Sequence, residues 1–281
     1  MIDRERHPYA SFVHRVEKPS RYLGGELYSV VKDPSSVEVS ICLAFPDLYD
    51  IGMSHLGTKI LYKLLNDRPE IACERAFAPW LDMERELRER SLPVVALESM
   101  RPLREFDVLG FSLQFELTFT NVLTLLDLSG LALRSKDRLE TDPLILGGGP
   151  VATHPETMAP FFDGFLIGDA EARLPELLLT YKRDRLAGLT KRQALVHMAA
   201  QGGVYAPALY DRALDPRSGL VCVSRPQEAE VPAVVERAFV PDLNEFPFPS
   251  DSPVAAAEAF YTQGCEIGSN AIAVGPGRSA E

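Results

Sequence analysis

The chain has 281 residues, is 46% hydrophobic and carries a formal net charge of −11, so it can bury a substantial core. That acidic balance argues against nucleic acid as a partner, because phosphate contacts need clustered Lys and Arg. No stretch approaches the ~20 continuous apolar residues of a membrane helix. The opening MIDRERHPYASFVHRVEKPSRY is charged and lacks the apolar run of a secretory signal. Cys42, Cys73, Cys222 and Cys265 lie far apart, as reduced thiols do. A soluble cytoplasmic protein is expected.

Residues 1–36 read as a polar lead-in, with YLGGELYSVVKD forming a short strand or turn. A regular alternation follows. VEVSICLAF (37–45) is a β-branched apolar strand, and SHLGTKILYKLLND (54–67) has helical apolar spacing at Leu56, Ile60, Leu61, Leu64 and Leu65. IACERAF (71–77) reads as a strand and PWLDMERELRER (79–90) as an amphipathic helix opened by proline. DVLGFSL (107–113) is a third strand, and ELTFTNVLTLLDLSG (116–130) a helix ended by glycine. PLILGGG (143–149), PETMAPFF (155–162), DGFLIGD (163–169) and EARLPELLLTYKR (171–183) complete a strand–helix–strand–helix run.

Five short strands alternating with helices predict a doubly wound, flavodoxin-like α/β domain over 37–183, a parallel five-stranded sheet in the order 2-1-3-4-5. From 184 to 253 a helix, a short strand (LVCVS) and the proline-rich FVPDLNEFPFPSDSP read as a linker. Such a linker leads to another domain, yet only 28 residues follow Pro253.

In this strand order ligands bind beyond the carboxyl ends of the strands, at the switch point between the first and third. The first loop there, residues 46–57, holds Asp47, Asp50, Ser54 and His55 beside Gly52 and Gly57. Glycines let backbone approach a flat or phosphorylated ligand. The plainer reading is a βα turn with Ser54 capping the helix, and His55 as a capping or surface residue rather than a metal ligand. The second loop offers Ser112 and Gln114, groups suited to hydrogen bonding a ligand. No phosphorylatable Asp stands at the end of this strand, against a receiver domain. The third, Gly147-Gly148-Gly149-Pro150, is the strongest local signal. Three glycines ending a strand mean close approach of a ligand, a backbone conformation barred to side chains, or a tight turn. The loop is not the dinucleotide fingerprint, since Ala152 stands where its last glycine belongs. His154 and Glu156 have no cysteine partners for a zinc site, and Asp169 and Glu171 read as acids favoured at a helix start.

The blocks YLGGELYSVVKD, AFPDLYDIGMSHLGTKILY, DVLGFSLQFELTFTNVLTLLDLSG and LILGGGPVATHPETMAPFFDGFLIGDAEA resemble the amino-terminal part of a family of radical S-adenosylmethionine (SAM) proteins that carry a cobalamin-binding-type domain first. The resemblance runs from about residue 20 to residue 260. It implies a corrin-facing rim made of residues 51–57 (Gly52, Met53, Ser54, His55 and Gly57), of Ser112 and Gln114, and of Gly147 to Pro150. Cobalamin domains that ligate cobalt from below use D-x-H-x-x-G. With His55 as the ligand, the Asp position is Met53 and the Gly position is Thr58, so no protein lower ligand is expected.

The resemblance also implies a following partial barrel that opens with C-x-x-x-C-x-x-C, three thiolates holding a 4Fe–4S cluster that binds SAM. Aligned on Cys265, the second and third positions are Ser269 and Ile272. Serine is a poor ligand and isoleucine is none, so Cys265 reads as a vestigial first cluster cysteine in an incomplete start of a radical SAM domain (254–281). Either the chain is a standalone module serving a separately encoded radical SAM half, or its last ~20 residues are a truncated or frameshifted readout. The second is preferred, because the linker is intact yet leads nowhere. Full-length relatives are expected to be radical SAM enzymes, while this polypeptide alone is expected to perform no radical chemistry. The competing reading is a non-catalytic flavodoxin-like module that binds another nucleotide-like ligand or a partner protein.

Overall fold

The computed structural model describes residues 7–246 and 248–254. Cys265 and the expected cluster loop lie outside them. Five parallel strands, β1 (Val39–Phe45), β2 (Ile71–Phe77), β3 (Val108–Ser112), β4 (Leu144–Gly148) and β5 (Gly164–Leu166), stand in the order β2-β1-β3-β4-β5. This is the flavodoxin-like arrangement expected from the alternation. Every residue of β1 and β2 is buried, which requires cover on both sheet faces.

The cover follows from right-handed crossovers. The β1-to-β2 connection moves toward one edge and carries α2 (Leu56–Asn66) on one face. The β2-to-β3 and β3-to-β4 connections move the other way, which puts α3 (Leu81–Arg90) and α4 (Phe119–Leu128) on the opposite face. Helix α3 buries Met83 and Leu87, one turn apart, and α4 buries Val122, Leu125 and Leu126. After β5, α5 (Arg173–Leu186) packs against α6 (Lys191–Ala200). Helix α6 is opened by a capping box between Thr190 and Gln193.

The structure departs from the sequence reading at four places. The sheet has a sixth strand, β6 (Val204–Tyr205), antiparallel to β5, which a two-residue apolar pair after a double glycine does not announce. PETMAPFF forms two 3-10 turns, Pro155–Thr157 and Ala159–Phe161, because its prolines break the continuous helical ladder. LVCVS pairs as β8 (Val221–Pro226) with an unforeseen β7 (Tyr210–Leu214). The lead-in, expected to be polar, buries Tyr9, Phe12, Val13 and Val16 in the main core. The Tyr9 hydroxyl donates to Pro93 O at 2.6 Å and accepts from Val95 N at 3.0 Å.

A buried ion cluster fixes the lead-in to the β2 edge. Arg75 pairs with Glu98 at 2.6 Å and Glu26 at 3.3 Å, both carboxylates with fully buried side chains, and its guanidinium stacks on the Tyr62 ring. Burial pushes Glu98 above the usual carboxylate range, against the pull of Arg75.

Candidate functional site

At the C-terminal ends of β1, β3, β4 and β5 the sheet leaves a cleft of about 230 Å³, roofed by the starts of α2 and α5. Register fixes its floor. Leu43 pairs with Gly110, Gly110 with Leu146, and Ser112 with Gly148. Two-residue alternation therefore turns all of these onto one face. Two of the floor positions are glycine, which withholds side-chain volume where the strands meet the helices. At Gly148 nothing lies within 4 Å of where a Cβ would stand, so its missing side chain is open space in the cleft.

The three glycines that end β4 and follow it serve three different needs. A Cβ on Gly147 would sit 2.7 Å from the Phe165 ring, a packing constraint on the buried side. Gly148 opens the cleft. Gly149 has φ 100° and ψ −179°, a backbone region essentially reserved for glycine. A Cβ there would lie 2.7 Å from Leu113 O.

His55 is the N-cap of α2, a role the sequence reading had offered to Ser54. Its Nδ1 accepts the Thr58 N–H at 3.1 Å, while Ser54 Oγ donates to Asp50 O. Gly57 makes this possible, since a Cβ there would come within 2.9 Å of the folded-back imidazole. The ring packs on Phe45 at 5.1 Å, and burial lowers the His55 pKa while a hydrogen bond with Gln114 opposes the shift. Because Nδ1 is an acceptor, the neutral ring carries its proton on Nε2. Gln114 in turn donates from Nε2 to Ser112 Oγ at 2.7 Å. Gln114 thus ties to Ser112 within the second loop, while His55 caps α2 within the first.

Of the sequence-predicted rim, His55, Gly57, Ser112, Gln114, Gly147, Gly148 and Gly149 line the cleft. Gly52 and Met53 do not: Gly52 is packed under Phe77, and Met53 Sδ lies 2.8 Å from Arg75 Nη1. Ser54 and Pro150 are exposed beside the mouth. The sequence reading missed Thr58, Leu61 and Gly110 in the lining. An isolated glycine inside the strand VLGFS was the available signal for Gly110. Asp169 is not in the first turn of α5. It accepts from Val240 N at 3.0 Å and pairs with Arg237 at 2.9 Å, which together hold its carboxyl below the usual range.

The titratable lining comprises His55, Asp169 and Glu171, with no Lys or Arg. Arg173, nearest in sequence, is turned away to the carbonyls of Gln201 and Gly202. Among the described residues no group of three or more His, Cys, Asp or Glu could hold a metal ion, and no helix is long and apolar enough to cross a membrane.

A family model described as "Radical SAM proteins, N-terminal" matches residues 57–207, more than half of the chain, and includes all of the cleft lining except Leu43, Ala44, Phe45 and His55. The chain belongs to this family. No curated protein matches it. Among solved structures, this radical SAM N-terminal chain is similar to the radical S-adenosylmethionine methyltransferase TsrM from Kitasatospora setae, solved with tryptophan substrate and the SAM analogue aza-SAM. The identity is 14% and the TM-score 0.35, over 63% of this chain and 29% of that one. The chain thus spans less than a third of that protein's length, and at this TM-score the likeness says nothing of ligand or activity.

Proposed function

We propose that the chain is a cobalamin-binding-type module of a radical SAM protein, holding the nucleotide tail of a corrin between the sheet and the α2/α5 pair, and performing no catalytic step itself. The observation that carries this reading is the open floor at Gly148, in a cleft set at the switch point of a flavodoxin-like sheet. The donor set suits that tail. Leu43, Leu61 and Leu146 would pack its uncharged heterocycle, and Ser112 and Thr58 would hydrogen bond its polar edge. Two carboxylates and a neutral imidazole disfavour a ligand that inserts a free phosphate.

A bound corrin supplies a cobalt centre able to carry a methyl group or electrons. His55 is not offered as its ligand, because its Nδ1 already caps α2. In this reading residues 37–183 bind the cofactor, 184–253 connect, and the radical step belongs to a cluster-bearing domain, on the same polypeptide or separately encoded.

The test is to mix purified protein with hydroxocobalamin, desalt, and record the visible spectrum. A stoichiometric retained band is expected, with its position unchanged in His55→Ala. Absence of a retained band defeats the reading, and a shifted band in the variant would show that His55 reaches cobalt.

A further inference from the structure

The linker that leaves the module is not free of it. Ala238 N donates to Ile167 O and Asp169 N to Ala238 O, both in a parallel extension beyond the end of β5. Gly168, at φ 105°, admits this contact: a Cβ there would lie 2.1 Å from Ala238 O. Asp169 completes the attachment through Arg237 and Val240 N. At its other end the linker is fastened to α2 and the lead-in. Asp251 pairs with Lys63 at 3.5 Å, and Val254 N donates to Leu27 O at 3.0 Å. One anchor therefore lies on the β5 wall of the cleft, on a residue that lines it, and the other on the helix that forms the opposite wall.

We infer that this linker is a strap bridging the two walls of the cleft, and that filling the cleft tightens its Asp169 anchor. The ion pair is wet on the linker side, with Arg237 65% exposed and Asp169 24% exposed, and pairs of that kind are weak in water. A ligand that expels water from beside Asp169 lowers the dielectric on the cleft side and strengthens the attraction. By linkage the effect is reciprocal: a latched strap strengthens ligand binding by the same factor. The module would then report its occupancy to whatever the linker leads to, through the position of residues 237–240.

The Arg237–Ala238 bond is itself a trypsin site, and Arg237 does not line the cleft. Cleavage at this bond is followed by mass spectrometry under native conditions in three samples: apo protein, protein saturated with hydroxocobalamin, and apo Gly148→Leu. The Leu side chain fills the cleft from its floor at a position with open space. Both filled forms are expected to be cut about fivefold more slowly than apo protein, and Arg237→Gln to bind hydroxocobalamin about fivefold more weakly, the low end of ordinary coupling between sites. The corrin samples rest on the proposed function, whereas Gly148→Leu does not. If no corrin band is retained, the cofactor reading fails and Gly148→Leu alone decides the strap: slower cutting sustains it and unchanged cutting overturns it. If the band is retained but cleavage and Arg237→Gln affinity are unchanged, the strap is overturned and the cofactor reading stands.

Discussion

Replacing Gly149 and Gly148 separately by alanine distinguishes a glycine required by the backbone from one required by the cleft. At Gly149, φ 100° with ψ −179° falls where a non-glycine residue costs of order 1–3 kcal/mol. The new Cβ also meets a backbone atom, Leu113 O at 2.7 Å, which cannot swing aside as a side chain would. That carbonyl accepts the Val151 N–H at 3.3 Å, so moving it loosens the start of the following turn. Together these set the loss at about 3 kcal/mol, or roughly 6–12 °C in Tm for a domain of this size. At Gly148 φ is ordinary and no atom lies within 4 Å of the new Cβ. Alanine there restricts the unfolded chain and is expected to be neutral or stabilising by up to about 1 kcal/mol. The assay is urea unfolding followed by tryptophan fluorescence and circular dichroism, with hydroxocobalamin retention measured on the same preparations. Gly148→Ala should fold as well as the parent but retain less corrin. Equal stability of the two variants would refute the assignment of Gly149 to backbone geometry.

Two further substitutions probe the frame around the cleft. Arg75→Met keeps the volume but leaves Glu98 and Glu26 buried without their cation, and should cost about 3–5 kcal/mol in urea unfolding. His55 is a base whose pKa is depressed by folding, so its contribution is present above its ordinary 6.5 and is lost as pH falls through the lower folded value. His55→Asn keeps a capping acceptor without a titratable ring, so unfolding curves from pH 7.5 down to about 5 should fall less steeply than those of the parent. His7, lowered in the same direction by burial, leaves some acid-side slope in the variant.

The parallel sheet was legible because most strands are short apolar runs, and β1, buried on both faces, is almost continuously apolar; β2 is as fully buried but carries Glu74 and Arg75 at its centre. Three loops were legible as the rim because glycines and hydroxyls interrupt apolar runs at strand ends. What could not be read was direction. Gly52 and Met53 sit in the same loop as His55 and Gly57, yet the four-residue helical turn α1 (Tyr49–Gly52) turns the first two into the wall beneath Phe77 and beside Arg75. Loop membership does not fix which way a residue faces. The role of Asp169 was hidden for a different reason. Its partners lie 68 and 71 residues away in the linker, and nothing local distinguishes an acid that favours a helix dipole from one that anchors a distant segment.

The charge of the lining narrows the ligand more than its shape does. An apolar floor, two carboxylates and an imidazole whose pKa is lowered by burial suit an uncharged heterocycle, whereas a phosphate monoester would face Asp169 and Glu171 with no Lys or Arg in the lining to receive it. Asp169 is itself occupied by Arg237, so that cation is not free to be recruited without opening the strap. Dimethylbenzimidazole riboside is therefore expected to displace bound hydroxocobalamin at least about tenfold more effectively than the corresponding riboside monophosphate or a flavin mononucleotide, a difference of ~1.4 kcal/mol. Competition followed by the visible corrin band measures it, at low and at moderate salt. The preference should narrow as salt screens the repulsion, because the cleft opens to solvent at its mouth. Tighter binding of the phosphorylated competitor would mean that backbone amides at the glycine turn outweigh the two carboxylates, and the ligand class would then be a nucleotide.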